Sequence, residues 1–393
     1  MSPIRPSILG LQRNGIGRVA SLGLGHPDII PLWFGESDLV TPGFIREAAK
    51  RALDEGQTFY NHARGMKVLR QALRDFHKRT AGVDVAVERI SLPGAATLAV
   101  VTALQCLIET GDNAVIISPI WPSIFQAAQV VGAELRFARL KEDWDAPRWR
   151  LDLDKLFALC DARTKAIFVC SPGNPTGWTA TRAEQQAILD FARLRGIAII
   201  SDEVYCTLVF DGSGHAPSFL QIAEPDDDLF VINSFSKPWA MTGWRIGWLV
   251  HPPSLDEPMD TIAIANNTGP AIFAQYGALA ALSPEGDAFR ATMLERCRAG
   301  REVVQNFLNG QNRIRWIKPA GAFYGFLYID GLTDSVGFAQ ELVRHKRVGV
   351  APGSAFGPQD DLRNDCYVRI CFANDPERLN EGLSRIERAL ASS

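Results

Sequence analysis

Between residues 114 and 232 the chain repeats one form, and that form narrows its fold more than any other feature. Short, largely apolar runs at 114–117, 135–140, 166–170, 197–200 and 229–232 alternate with longer helical patterns such as 183–195. A strand that is apolar on both faces needs cover on both faces. Helices that carry the chain from one parallel strand to the next supply that cover. The pattern predicts an α/β fold with a mostly parallel, doubly wound sheet, and 246–250 reads as a further strand after the turn at Gly243. The last third differs. A long helical pattern at 288–308 is followed by a strand at 323–329, a helix at 338–344 and a strand at 368–372, which suits a smaller α+β domain.

Composition removes several classes of function. The chain has 393 residues, 47% of them hydrophobic, and a net charge of −3. A large core is available, and no excess of positive charge invites nucleic acid or an anionic membrane surface. The N-terminus carries no apolar signal region, and no run approaches the roughly 18–20 apolar residues of a membrane span. The seven cysteines are odd in number and mostly lie in apolar runs. Free thiols in a reducing cytoplasm fit them, and their spacing offers no metal site.

Ligands of doubly wound sheets bind beyond the carboxyl ends of the strands, so the residues just past each apolar run carry the functional reading. Past 229–232 stands Asn233-Ser234-Phe235-Ser236-Lys237-Pro238-Trp239-Ala240-Met241-Thr242-Gly243-Trp244-Arg245-Ile246-Gly247. A lysine, two nearby serines and an arginine eight residues on suit an amine that forms an imine beside a held phosphate. Read alone, Lys237 is a surface lysine at a strand end. With its neighbours it resembles the cofactor-lysine signature of the fold-type I pyridoxal 5′-phosphate enzymes, specifically the class I/II aminotransferases.

Further matches fall at successive strand ends. Pro93-Gly94-Ala95-Ala96-Thr97 precedes a helical run at 98–108, where helix amides favour an anion. The resemblance places the cofactor phosphate at Ala95 and Ala96, with Ser234, Arg245 and Ser236 completing its ligands. Trp121, in Pro119-Ile120-Trp121, resembles the aromatic residue stacked on the cofactor ring. Asn174, in Asn174-Pro175-Thr176-Gly177, resembles the asparagine that bonds the cofactor's 3′ oxygen and touches the substrate carboxylate. Asp202 and Tyr205, in Ser201-Asp202-Glu203-Val204-Tyr205, resemble the ring-nitrogen carboxylate and the phenol on the 3′ oxygen. Outside the family context Asp202 reads as a helix cap and the Asn174 motif as a turn.

On the substrate side, Arg369 interrupts the apolar strand Tyr367-Val368-Arg369-Ile370. A buried charge needs a partner, either an internal carboxylate or a ligand. The resemblance implies a grip on the substrate α-carboxylate, with Gly35 of Trp33-Phe34-Gly35-Glu36-Ser37-Asp38 offering its amide to the same group. Ser37 stands where the family's loop usually has proline. Tyr60, five residues before Gly65, resembles the tyrosine that reaches the phosphate of a neighbouring subunit, which implies a homodimer with shared active sites.

The resemblance thus implies a cytoplasmic enzyme that moves an amino group from an L-amino acid to a 2-oxo acid by ping-pong kinetics, with Lys237 as catalytic base. The residues after Ala96, from Thr97 to Leu104, carry no charge, and Trp33, Phe34, Ile120 and Trp121 offer an apolar wall. A neutral or hydrophobic donor is therefore expected, with His62, Arg64 and Lys67 the remaining cations for a distal carboxylate. Two alternatives share part of this pattern. A lyase of the same fold, acting on C–S bonds or forming aminocyclopropane carboxylate, uses the same cofactor residues. A cofactor-sensing regulator needs a DNA-binding domain before the match, for which the first 35 or so residues leave no room. The expected division is a large domain at 45–285 and a small domain made of 1–44 and 286–393.

Overall fold

The computed structural model describes residues 4–11, 15–358 and 360–391. Its main sheet has seven strands: β1 (Ile90–Gly94), β2 (Asn113–Ser118), β3 (Glu134–Arg139), β4 (Thr164–Cys170), β5 (Ala198–Asp202), β6 (Leu229–Ser234) and β7 (Gly247–Val250), in spatial order β1-β7-β6-β5-β4-β2-β3. All neighbours are parallel except β7, which runs antiparallel to both β1 and β6. Four of the five apolar runs are the inner strands β2, β4, β5 and β6, and β5 and β6 are buried along their whole length; the run at 135–140 is instead the edge strand β3, only partly buried because one side has no neighbour.

Strand β1 was not among the expected strands, and the reason is local. Pro93 has no amide hydrogen for a ladder and argues against a strand. Here β1 is an edge strand, and its pairing with β7 is irregular between Gly247 and Leu249, opposite Gly94 and Ser91. The irregularity absorbs the proline.

Helices cover the sheet where the sequence places them. α1 (Ala96–Leu107) follows β1 directly. α2 (Arg182–Arg195) begins in a capping box between Thr181 and Glu184 and ends at Gly196, φ +60. That pairing of polar start and glycine stop fixes its length. α3 (Pro284–Asn309) starts four residues before the expected 288, because the Ser283 hydroxyl accepts from the Gly286 amide and Pro284 suits a first turn.

A second, antiparallel sheet joins β8 (Ile314–Trp316), β9 (Tyr324–Ile329), β10 (Ala351–Pro352) and β11 (Tyr367–Cys371), in the order β8-β9-β11-β10. The N-terminal segment is tied to it. Ile30–Pro31 pairs in parallel with Val348–Gly349, and the Cys371 amide donates to the Leu32 carbonyl at 2.9 Å. Among the described residues no helix is long and apolar enough to cross a membrane.

Candidate active site

The carboxyl ends of β1, β2, β4, β5 and β6 lie on one edge of the main sheet. Because β7 runs the other way, its amino end joins them, and that is how Arg245 arrives beside residues from the other strands. A cavity of about 300 Å³ opens there. Asn174, Asp202, Tyr205, Ser234, Ser236 and Lys237 line it from the strand ends, with Ala96 and Trp121 from the first turns after β1 and β2. Arg245 reaches it from the start of β7, and Gly35 and Arg369 close it from the side of the second sheet.

One end of this cavity favours anions. The Ser234 and Ser236 side chains are buried, and the Ser234 oxygen accepts from the Ser236 amide at 3.1 Å. The exposed Arg245 sits at the mouth, held in a left-handed conformation (φ 54), with its guanidinium donating to the Thr242 carbonyl. The first amides of α1 have no partner within the helix, and its first turn holds no acidic residue. Gly247 keeps the strand close to this turn, since a Cβ there would lie 2.6 Å from the Asn233 carbonyl and 3.0 Å from the Ala96 amide nitrogen. Ala95 stands at the cap of α1 and does not line the cavity.

At the other end Asp202 is buried, and its Oδ1 accepts from the Val204 amide at 3.3 Å. Burial pushes its carboxyl up to about 6. Lys237 is half-buried between the two ends, and its Nζ donates to the Gly35 carbonyl at 2.6 Å. Burial, joined by repulsion from Arg369 and Arg245, brings its amine down to about 8. A carboxylate, an amine and an anion cradle lining one cavity match a molecule with a protonated ring nitrogen, a carbonyl and a phosphate. The residues fit pyridoxal 5′-phosphate.

The second sheet supplies the opposite wall. Tyr324 pairs with Cys371 and Phe326 with Arg369, so all four side chains share one face. Arg369 lies over the Tyr324 ring at 4.5 Å and near the Phe356 ring at 5.2 Å. Its guanidinium donates to Asn174 Oδ1 at 3.2 Å and to the Trp33 carbonyl. It is 2% exposed, yet among the described residues no carboxylate stands within ion-pair distance. The internal salt bridge open to it in the sequence is not made. Gly35 is required: a Cβ there would lie 2.0 Å from the Tyr324 hydroxyl. The Ser37 hydroxyl oxygen accepts from the Leu39 amide at 3.1 Å.

Some residues lie elsewhere. Tyr60 is 92% exposed and outside the cavity of its own chain, beside an equally bare Phe59. His62 and Lys67 are exposed as well. Arg64 is buried and engaged by Asp256, Ser91 and the Glu88 carbonyl, so it cannot serve a ligand. Several cavity residues escaped the sequence reading, Cys170 and Tyr324 among them. Cys170 stands opposite Asp202 in the β4–β5 ladder, and Tyr324 shares a 2.7 Å hydrogen bond with Tyr205.

Comparison with known proteins follows the same lines. The family described as aminotransferase class I and II matches residues 27–386. An aspartate aminotransferase of Pyrococcus horikoshii is 33% identical over 98% of this chain and 97% of its own. Aromatic-amino-acid aminotransferase 2 of Thermococcus litoralis is 32% identical over 95% of each chain. The crystal structure of an aromatic aminotransferase from Pyrococcus horikoshii superposes with a TM-score of 0.85 at 32% identity, covering 96% of this chain and 99% of that one.

Proposed function

The chain belongs to the class I and II aminotransferases and depends on pyridoxal 5′-phosphate, and from that premise we propose that its amino donor is a neutral or hydrophobic L-amino acid. The carrying observation is the cavity lining. Its cations are Lys237, Arg245 and Arg369, and the wall around them includes Ile16, Trp33, Phe34, Val100 and Trp121. With Arg245 at the anion cradle and Arg369 facing the α-carboxylate, no other cation among the described residues lines the cavity for a distal carboxylate, which a desolvated wall would reject. Relatives named for aspartate point to the opposite preference, and the relative named for aromatic amino acids points to this one.

Bound in the cavity, the cofactor supplies a carbonyl carbon for imine exchange and a ring that draws electrons from the amino acid's Cα. The chain's residues do the rest. Ser234, Ser236, Arg245 and the amides at Ala95 and Ala96 hold the phosphate, and Trp121 covers the ring. Asp202 holds the proton on the ring nitrogen, which a buried carboxylate with no ion-pair partner among the described residues is suited to do. Asn174 and Tyr205 bond the 3′ oxygen. Arg369 and the Gly35 amide orient the α-carboxylate. Lys237 Nζ carries the proton from Cα, and an amine brought down to about 8 has a working neutral fraction near neutrality.

Two half-reactions at one site make the kinetics ping-pong, so initial rates at several fixed 2-oxo acid concentrations give parallel double-reciprocal lines. The relatives cited favour transamination over the lyase alternative. The exposed Tyr60 and Phe59 are suited to a second copy of the chain, and we place Tyr60 at the partner's phosphate in a homodimer. The division into 45–285 against 1–44 with 286–393, and a cytoplasmic setting for the seven free thiols, belong to the same reading.

The deciding experiment compares kcat/KM for aspartate, alanine, methionine and phenylalanine with 2-oxoglutarate as acceptor. Aspartate in last place is expected, and aspartate in first place refutes the donor class. Lys237→Ala in parallel should lose both turnover and the bound-cofactor absorbance.

A further inference from the structure

The Tyr205–Tyr324 pair is a hydroxyl–hydroxyl contact that joins the cofactor side of the cavity to its substrate side, alongside Arg369–Asn174 and Lys237–Gly35. The two hydroxyl oxygens are 2.7 Å apart, and both rings are buried. Tyr205 follows β5, and Tyr324 opens β9, 119 residues later. Backbone bonds lock the junction: the Ala322 amide donates to the Leu208 carbonyl at 2.9 Å, and Val209 bridges Gly321. The rings meet edge to face at 5.6 Å, so neither phenol swings freely.

The contact has two possible directions, because each hydroxyl is both donor and acceptor. One direction leaves the Tyr205 proton pointing into the cavity and the Tyr324 proton on the Tyr205 oxygen. The other does the reverse. Among the described residues the Tyr324 hydroxyl has no second hydrogen-bond partner, and the Gly35 backbone crowds its far side. A cofactor oxygen that accepts from Tyr205 selects the first direction. A hydroxyl that accepts one hydrogen bond donates a stronger one.

We propose that Tyr324 is a positioning residue, whose phenol donates to Tyr205 and so turns and strengthens the Tyr205 hydrogen bond to the cofactor's 3′ oxygen. This rests on the cofactor reading above. The charged and titratable groups facing the pair are Arg369 and Cys371 from the second sheet and Cys170 and Asp202 from the main one. Burial keeps both phenols protonated well above the ordinary tyrosine range, so the proton arrangement persists across the working pH.

The test is the pH midpoint of the bound cofactor's visible absorbance, measured without substrate on the holoenzyme. A donor on the 3′ oxygen favours its anionic form and lowers the midpoint. Tyr205→Phe should raise it most. Tyr324→Phe, which removes only a hydroxyl, should raise it by about half a unit, roughly threefold in the ionisation equilibrium. The double variant should match Tyr205→Phe alone, because Tyr324 acts through Tyr205. An unmoved midpoint in Tyr324→Phe, or additive shifts in the double variant, overturns the proposal while leaving the cofactor reading intact. A wild-type chain that takes up no cofactor overturns both.

Discussion

Two buried arginines, one beside the edge strand β1 and one in the second sheet, face the same physical problem and solve it differently. Arg64 is 2% exposed and so is Arg369. Arg64 pairs with Asp256 and donates to Ser91 and to the carbonyls of Asp256 and Glu88. Arg369 has a neutral amide oxygen, a carbonyl and two aromatic faces. Desolvating a cation is expensive, and removing the partner of a buried one costs several kcal/mol. The protein compensates Arg64 with a carboxylate and leaves Arg369 without one among the described residues, as the proposed substrate-carboxylate role requires. Asp202 and Lys237 follow Arg369, since neither has an ion-pair partner among the described residues. Closed accounts of charge mark architecture here, and open ones mark chemistry.

The largest effect that can break this contrast comes from exchanging the arginines for alanine. Arg369→Ala should cut kcat/KM by about a thousandfold and move the melting temperature little. Arg64→Ala should do the reverse, lowering the melting temperature by about 5 °C with kcat/KM close to wild type. If Arg369→Ala is the variant that unfolds, the contrast is wrong. Next in size is Asp202→Ala, expected to lower kcat by about a hundredfold at saturating cofactor, because its charge acts when carbanion character develops. A change of only a few-fold would reduce Asp202 to a cap for the turn after β5.

A monocarboxylate such as propionate sharpens the same point without chemistry. At a hundred times its dissociation constant it should raise the melting temperature of the wild type by about 3 °C and leave Arg369→Ala unmoved. Equal shifts in both would place the carboxylate elsewhere. The smallest effect concerns the cofactor-free chain. Its Lys237 amine lies near 8, below its unfolded value, so the folded state binds fewer protons between the two. Wild-type stability therefore rises as pH climbs from about 8, and it is lowest where the amine is fully charged. Lys237→Met should melt about 1–2 °C higher at pH 7, with the gain shrinking on the way to pH 10. A gain that grows with pH would reverse the sign and sink the argument.

Most of this site was legible because each strand end carries its own chemistry in order along the chain. Asn174, Asp202 and Lys237 read singly as a turn, a helix cap and a surface lysine, and it was their resemblance as a set to the family's motifs, on successive strand ends, that singled them out. Arg369 was legible as an anomaly, a charge inside Tyr367-Val368-Arg369-Ile370. Tyr324 was not. An aromatic residue at the head of an apolar strand looks like core, and only the register that sets Tyr324 against Cys371 and Phe326 against Arg369 shows which face it takes. Cys170 was hidden in the same way by its ladder partner Asp202. Among the elements, β1 was masked by Pro93, whose cost to the ladder falls on an edge strand that can bear it. The start of α3 carried capping chemistry at Ser283 and Pro284, which the apolar period from 288 outweighed.

The contact between Gly35 and Tyr324 also governs the order in which this cavity can change over descent. A methyl at position 35 meets the Tyr324 oxygen at 2.0 Å and its ring carbon Cζ at 3.0 Å. Loss of the hydroxyl removes the first clash and leaves the second. Gly35→Ala is thus closed to a lineage that keeps Tyr324 and becomes cheaper only after position 324 has shrunk, so substitutions at the two sites are contingent, and a path through 35 first is a dead end.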